Sequence, residues 1–561
     1  MTRRLLLGRA GTGKTRSCLD LLAQTMRDGG TGMLLVPTYS QAEHLRLELL
    51  GRVDGLDPGC VQTFTSLAER VTGIRVRDLA TPAVRDRIAG DALAPDFARG
   101  AAQPGFRAEF LAAVKEIKEQ GQRDALEQAR TQFAAGTRER GLFESYARYV
   151  AALGRPDHED HQLAARSRLR ERTEPLGRLL VDGFHDFTPV QRDIVELLSA
   201  AAVETVVTLP LDPDRLEDPI FSTAARTLER FDGYARVPLR KNRRASGALA
   251  LLEAQLFRDP DTDAPADGIE AIACSSEEDE ADRLARFVRN AARPFSDFLV
   301  VRRSFDGLQH VYRAAFRRHG VPLRFFMPEP LAQTPAARAV ALWLRASSDR
   351  AEPLDLLYLL RSPYFLTRPE AAQVDAWAHA LRRNESSEDF WTPDDDDDEA
   401  PLGRQLARRF GLRDALIETP DGDEDLARAA RLFAQLQAEA AALDGLPLAD
   451  AKERLARRLP ALRGAWPDRR HDCVYAVEAL HARQWEKPVV LVAGLTADSF
   501  PRAVREDVFV RDEQRRALGE DSGLFLPLRG RREDEERYLF YVAMTRAKER
   551  IVATWAAYDE E

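Results

Sequence analysis

Cysteine is scarce in this chain. Only four of 561 residues are Cys, and none belongs to a C-x-x-C pair or a Cys/His cluster. Structural zinc sites and iron–sulfur clusters need such groupings, so neither is supported. Scattered, unpaired cysteines are typical of a reducing compartment.

Long hydrophobic runs are missing too. No apolar stretch approaches the roughly 20 residues of a membrane-spanning helix. A glycine-rich motif begins at residue 8, where a secretory signal would have its apolar region. These patterns predict a cytoplasmic protein without a membrane partner.

Neither positive nor negative charge dominates the composition. The net charge is −9, with 31% charged and 44% hydrophobic residues, as in ordinary globular proteins. This balance leaves nucleic-acid binding open, because a groove can be basic in an acidic protein. The acidic run at 394–399 predicts a solvated loop.

A phosphate-binding loop opens the chain. GRAGTGKT fits the pattern G-x-x-x-x-G-K-[ST], follows an apolar strand-like run and precedes a helix-like one. Its glycines let backbone N–H groups turn towards phosphate oxygens, and the helix N-terminus adds partial positive charge. We expect Lys14 on the β- and γ-phosphates and Thr15 on Mg²⁺. The predicted nucleoside-triphosphate loop consists of Gly8, Arg9, Ala10, Gly11, Thr12, Gly13, Lys14 and Thr15.

Strand-like and helix-like segments alternate in two parts of the chain, which predicts parallel sheets covered by helices. Between these parts, apolar residues recur at helical spacing without strands. The prediction is an α/β protein with two lobes, each interrupted by an all-helical insertion. The predicted segments are 1–81 and 171–265 for the first lobe, 82–170 for its insertion, 266–346 and 471–561 for the second lobe, and 347–470 for its insertion.

Two residues downstream extend the nucleotide hypothesis. An apolar strand ends at Asp182, the position of a carboxylate that faces Mg²⁺. Arg546 lies on a predicted helix far along the chain. An arginine brought to the γ-phosphate by a second lobe accelerates transfer by roughly 10³–10⁵-fold. A surface arginine on an amphipathic helix is the alternative.

Several motifs together resemble the UvrD/Rep-like superfamily 1 DNA helicases. They follow the family's order: GRAGTGKT, TFTS (63–66), VDGFHDF (181–187), LRKNRRAS (239–246), PVVLVAGL (488–495) with SFP (499–501), and YVAMTRAKER (541–550). Within that family the chain is most similar to the B subunit of AddAB-type helicase–nucleases. It shares their DGF acidic motif, and it has HARQWEKPVVLVAGL where ordinary members read KGLE.

The resemblance implies two RecA-like lobes that bind ATP and Mg²⁺. Thr15 and Asp182 would serve the metal, and Arg244 and Arg546 would face the γ-phosphate. Single-stranded DNA would lie in a groove, with Phe64 as a base platform or, alternatively, a core residue. The implied DNA contacts are Pro37, Thr38, Thr63, Phe64 and Ser66.

Gly183 departs from the family pattern, because active members have a glutamate there that activates the attacking water. General-base help is worth about 10²–10⁴-fold, so we expect slow hydrolysis unless Asp186 or His185 substitutes. A glutamate introduced at 183 would reach the γ-phosphate only if the backbone φ there is negative. The family's two glutamine elements are also missing, so the preference for ATP depends on the resemblance alone.

Two hypotheses remain. The first is an ATP-dependent 3′–5′ helicase or translocase that acts on single-stranded DNA and duplex ends in double-strand-break repair and recombination. The alternative is a hydrolytically weak, DNA-gripping partner subunit of a helicase–nuclease. The sequence stops after YVAMTRAKER, where AddAB-type B subunits continue into a nuclease domain, so we expect a motor without nuclease.

Overall fold

The computed structural model describes residues 2–121, 123–242, 247–258, 266–346, 352–367, 369–383, 400–411, 422–464, 470, 472–497 and 499–557. Two compact units make up the chain: Met1–Phe326 with His471–Glu561, and Met327–Arg470. The acidic run at 394–399 lies outside the described residues. No helix in the described ranges is long and apolar enough to cross a membrane.

The first lobe contains a six-stranded, fully parallel sheet. Its strands are β1 (Thr2–Leu7), β2 (Gly32–Leu35), β3 (Val61–Gln62), β4 (Leu176–Val181), β5 (Ala202–Leu209) and β6 (Ala235–Pro238). Their order in the sheet is β3-β2-β4-β5-β1-β6. In β1 and β4, the less buried amino halves contain arginines, and leucines or valines form the buried carboxyl halves.

The second lobe repeats this design with a second parallel sheet, which also has six strands. Its strands are β7 (Ile269–Cys274), β8 (Phe298–Arg302), β9 (Leu323–Phe325), β12 (Val474–Glu478), β13 (Lys487–Ala493) and β14 (Ala547–Ala556). Their order is β7-β14-β13-β8-β12-β9, so the chain leaves this sheet after β9 and returns at β12.

Helices cover both sheets. Those before β4 are α1 (Lys14–Arg27), α2 (Tyr39–Leu50), α3 (Phe64–Thr72), α4 (Pro82–Ala101), α5 (Pro104–Gln120), α6 (Arg123–Gln132), α7 (Arg138–Ala152) and α8 (His158–Glu171). Between β4 and β9 are α9 (Pro189–Ala201), α10 (Ser222–Leu228), α11 (Ala248–Gln255), α12 (Glu277–Asn290) and α13 (Gln309–Arg318). The last two helices are α20 (Asp512–Ser522) and α21 (Arg529–Met544).

The described residues of the unit Met327–Arg470 are mostly helical, with a short antiparallel pair, β10 (Glu329–Pro330) with β11 (Arg463–Gly464), and an isolated antiparallel bridge between Phe365 and Phe410. Its own core is built on Trp343, Phe365 and Phe410. The helices are α14 (Pro335–Ala346), α15 (Pro353–Arg361), α16 (Ala371–Arg382), α17 (Leu402–Arg409), α18 (Gly422–Ala442) and α19 (Leu448–Arg458).

The predicted fold class, α/β with two RecA-like lobes, is confirmed by the two parallel sheets. One hydrophobic core contains buried residues of both lobes, including Val181 of β4 and Tyr541 of α21. This shared core holds α21 against the carboxyl end of the first sheet, the edge at which open α/β sheets bind ligands.

Candidate nucleotide-binding site

The phosphate loop connects β1 to α1. Gly11 has a φ of 76°, and a Cβ there would lie 2.3 Å from the Asn242 side-chain oxygen. Glycine is therefore required both for the backbone conformation and for this close approach. The helix N-terminus begins at Lys14, whose Nζ donates hydrogen bonds to the carbonyl oxygens of Gly8 (2.5 Å) and Arg9 (2.9 Å).

A tyrosine from the second lobe holds the same loop. The Tyr541 hydroxyl accepts a hydrogen bond from the Ala10 N–H (3.0 Å) and donates one to Glu253 Oε1 (2.6 Å). Burial, reinforced by the Glu253 carboxylate, raises the pKa of Tyr541 well above its usual value. The hydroxyl therefore stays protonated and can fill both hydrogen-bonding roles.

Asp182 follows β4 and is 1% exposed. Its Oδ2 accepts a hydrogen bond from Thr15 Oγ1 (2.7 Å), and its Oδ1 accepts one from Thr208 Oγ1 (2.5 Å). Gln484 of the second lobe donates from Nε2 to Oδ2 at 2.5 Å. Three neutral donors thus fix this carboxylate beside the first residues of α1.

Gly183 is the next residue, and its φ is +88°. A Cβ at this position would lie 2.8 Å from Gln484 Nε2 and 3.1 Å from Pro37 Cδ. The condition for a useful glutamate at 183, a negative φ, is therefore not met. The backbone and the amide beside it explain why glycine stands there.

Two arginines reach this region from the second lobe. Arg546 is 8% exposed and donates to the Val542 carbonyl (2.9 Å) and to Thr545 Oγ1 (3.0 Å). Arg483 lies over the Tyr538 ring at 5.7 Å, and burial lowers the pKa of its guanidinium.

Residues of both lobes line one cavity of about 480 Å³, within the range of small-molecule sites. The first lobe contributes residues 10–16, Asp182 and Gly183, and the second contributes Arg483, Gln484 and Arg546. A hydroxyl and a carboxylate 2.7 Å apart suit Mg²⁺, whose protein ligands are oxygens. Loop N–H groups and cations suit polyphosphate, so the residues present fit a magnesium nucleotide.

Neither proposed substitute base lines the cavity. The Asp186 carboxylate pairs with Arg531 and accepts a hydrogen bond from Thr227 Oγ1 at 3.2 Å. The His185 ring stacks on Tyr538 at 4.7 Å. Burial, together with the charges of Arg483 and Arg531, lowers the pKa of His185 well below its usual value.

The residues predicted to touch DNA lie at the carboxyl ends of the paired strands β2 and β3. Thr38 and Thr63 are the N-caps of α2 and α3, and the Ser66 hydroxyl completes the second cap. Phe64 is 4% exposed and packs edge-on against Phe184 at 5.4 Å. Its ring is therefore covered, which favours the core alternative over the base platform. Pro37 and Thr38 are partly exposed, and Arg244 lies outside the described residues.

Comparison with known proteins agrees with this geometry. Residues 481–558, which carry Gln484 and Arg546, match the UvrD-like helicase C-terminal domain. The chain is related to the UvrD-like helicases. The matched segment runs from just before β13 through β14 of the second lobe.

B subunits of bacterial enzymes named ATP-dependent helicase/deoxyribonuclease are also similar to the chain. The one from Desulforudis audaxviator is 30% identical over 389 residues, covering 61% of this chain and 33% of that protein. The one from Moorella thermoacetica is 28% identical over 396 residues, covering 62% and 34%. The one from Desulforamulus reducens is 23% identical over 672 residues, covering 100% and 58%. The chain thus spans between about a third and 58% of these relatives.

Gln484, Arg483 and Tyr541 are among the cavity residues that sequence reasoning missed. The first two stand in HARQWEKP, the segment that departs from KGLE, so the departure itself was the available signal. No sequence pattern indicates that Gln484 crosses to Asp182 or that Tyr541 reaches Ala10, because each pair is separated by about 300 residues or more.

Proposed function

We propose that the chain is an ATP- and Mg²⁺-dependent motor of the UvrD type that moves 3′–5′ along single-stranded DNA. One observation carries the proposal: Thr15 and Asp182 of the first lobe and Arg546 of the second line the same cavity. A nucleotide between them would report its state to both lobes, as a motor requires.

The proposed role of each residue follows from its position in the cavity. Loop N–H groups and Lys14 would bind the phosphates, while Thr15 and Asp182 would hold Mg²⁺, which neutralises developing phosphate charge. Arg546, fixed by two hydrogen bonds, would approach the γ-phosphate from the second lobe. Its fixed position limits the reorganisation needed during transfer.

The relatives are named helicase/deoxyribonuclease subunits, and these names support extending the proposed function to DNA. We propose that the chain acts with a second subunit as part of a helicase–nuclease, on DNA ends during double-strand-break repair and recombination. Single-stranded DNA would pass the carboxyl ends of β2 and β3, where Pro37 and Thr38 are both partly exposed. Tyr39, 68% exposed at the start of α2, is a better base platform than the buried Phe64.

A second candidate is a nucleotide-binding subunit with weak hydrolysis. The observation favouring it is that the space beside Gly183 contains the neutral Gln484 amide, while Asp186 is paired with Arg531 away from the cavity. An amide is a far weaker proton acceptor than a carboxylate, so a loss of about 10²–10⁴-fold in rate is expected.

Measuring ATP turnover with and without single-stranded DNA separates the two candidates, with nucleotide binding measured in parallel. The motor proposal expects DNA-stimulated turnover that Lys14→Ala abolishes. Binding without turnover would leave the second candidate. Equal nucleotide affinity in the wild type and Lys14→Ala would contradict both.

A further inference from the structure

Gln484 makes the contact between the second lobe and the metal-side carboxylate. It lies between β12 and β13, and its Nε2 stands 2.5 Å from Asp182 Oδ2. Hydrogen bonds to an ionised acceptor are roughly twice as strong as neutral ones. Its own Oε1 is buried and accepts no hydrogen bond from the described residues.

The backbone at Gln484 adopts a conformation that is unfavourable for a non-glycine residue. Gln484 has a φ of 68°, and the described chain contains only two other non-glycine residues with positive φ. Non-glycine residues in this region carry strain that the surrounding structure must offset. Such an outlier beside a cavity justifies a functional hypothesis.

Both neighbours of Gln484 are tied to the first lobe. The Arg483 carbonyl accepts a hydrogen bond from Gln41 Nε2 of α2 at 3.2 Å. The Trp485 ring stacks on His44 of the same helix, with ring centres 4.3 Å apart. The segment is therefore held where the Gln484 amide can reach Asp182.

Gly183 completes the arrangement from the first lobe. A Cβ on it would lie 2.8 Å from Gln484 Nε2 and 2.9 Å from Gln484 Cδ. A side chain at 183 and the amide of Gln484 thus exclude each other. The glycine of one lobe and the glutamine of the other form a complementary pair.

We propose that Gln484 is a positioning residue that orients Asp182 from the second lobe and occupies the space left open by Gly183. The proposal deepens the proposed function, since it takes Asp182 as the metal-side carboxylate. Orientation of that group then depends on the second lobe being in place. A neutral amide does this without adding a second negative charge beside Asp182.

The first test uses the nucleotide-free chain. Gln484→Gly removes the amide and accepts the positive φ, while Gln484→Asn keeps an amide that is one methylene too short. We expect hydrogen–deuterium exchange around residues 180–186 to accelerate roughly tenfold in both variants, as expected for loss of a charge-assisted hydrogen bond. Ala292→Gly, at an exposed residue with a φ of 49°, is the control and should leave this segment unchanged.

The second test measures ADP affinity across a magnesium titration. We expect the Mg²⁺-dependent part of the affinity to fall roughly tenfold in Gln484→Gly and Gln484→Asn, with affinity in EDTA unchanged. A merely structural role would lower both affinities equally.

Unchanged exchange in both variants, or equal losses with and without Mg²⁺, would overturn the positioning role. Failure of the proposed function has a different signature, since Lys14→Ala would then bind nucleotide as well as the wild type. The exchange test is independent of that result because it uses no nucleotide.

Discussion

At the scale of single residues, Lys14 has both a structural and a proposed ligand-binding role. Its ammonium donates to the Gly8 and Arg9 carbonyls, so Lys14→Ala should cost about 1–2 kcal/mol of unfolding free energy. Losing the cation from the phosphate site should weaken ADP and ATP binding by roughly a hundredfold. Calorimetric titration and thermal unfolding measure the two effects.

Lys115→Ala is the matched control for that variant, since Lys115 lies exposed on α5. It should alter neither nucleotide affinity nor, to any large extent, stability. Wild-type affinity in Lys14→Ala would contradict the assignment of the loop.

Gly183 permits a second residue-scale prediction through a matched pair. Gly183→Ala and Gly233→Ala both place a Cβ at positive φ, 88° and 76°, but of the two only Gly183 has neighbours within 4 Å. Strain alone should cost Gly233→Ala about 1–2 kcal/mol. Gly183→Ala should lose about 1–3 kcal/mol more, because the new methyl group displaces the Gln484 amide or Pro37.

Urea denaturation of the two variants provides the comparison. Equal losses of stability would mean that the space beside Gly183 is not restricted. The same contacts explain why Gly183→Glu should lower stability and fail to create a catalytic base.

At the scale of elements, helix α5 contains a carboxyl group that titrates near neutrality. Burial raises the pKa of Glu119 to about 7, outweighing Lys115 at 3.9 Å, and Glu159, Glu116 and Asp186 add to the rise. The folded chain therefore binds this proton more tightly than the unfolded one, so stability falls as pH rises from about 4.5 through about 7 and then levels off.

Glu119→Gln should remove that pH dependence. The variant and the wild type should be equally stable near pH 4, and the variant should gain about 1–2 kcal/mol above pH 7, discounted for partial exposure. Urea denaturation at several pH values tests this prediction. Glu109→Gln, exposed on the same helix, is the control, and a similar gain there would contradict the assignment.

The N-terminal cap of helix α3 uses residues that the sequence motif assigned to DNA contacts. Thr63 and Ser66 belong to a motif that resembles a DNA-contacting segment, yet their hydroxyls form the cap of α3. Phe64 is the first residue of that helix and points into the core. A cap and a DNA contact favour the same residue types, because both need short hydroxyl side chains at the carboxyl end of a strand.

At the scale of the whole molecule, an acidic chain that binds DNA must do so through a local basic surface. The net charge is −9, so phosphate contacts should supply the affinity and salt should screen them. We expect single-stranded DNA binding to weaken roughly tenfold or more between about 50 and 200 mM salt. Fluorescence anisotropy with a labelled oligonucleotide measures this dependence.

A folded sample without affinity at low salt would refute DNA binding by the chain alone. The relatives are named as B subunits of a helicase/deoxyribonuclease, so a partner-dependent interaction would then be examined in the assembled complex.

Local sequence determined the fold class, the phosphate loop and the place of Asp182 at the end of a buried strand. These features depend on short-range periodicity and on spacing within one strand–loop–helix segment, both of which are readable without contacts. Arg546 was expected on a helix, but it lies in the turn between α21, which ends at Met544, and β14, which begins at Ala547, and from there it lines the same cavity.

Only the tertiary structure decided which side chains lie beside Asp182 and Gly183. Whether Asp186 or Gln484 stands by Asp182 depends on how two sheets pack, and that packing is set by a core assembled from distant segments. Gly183 looked like a missing catalytic group in the sequence; the structure shows a position whose φ and whose neighbour from the other lobe disfavour any side chain. Contacts over such separations depend on the summed packing of many residues, so no local pattern encodes them.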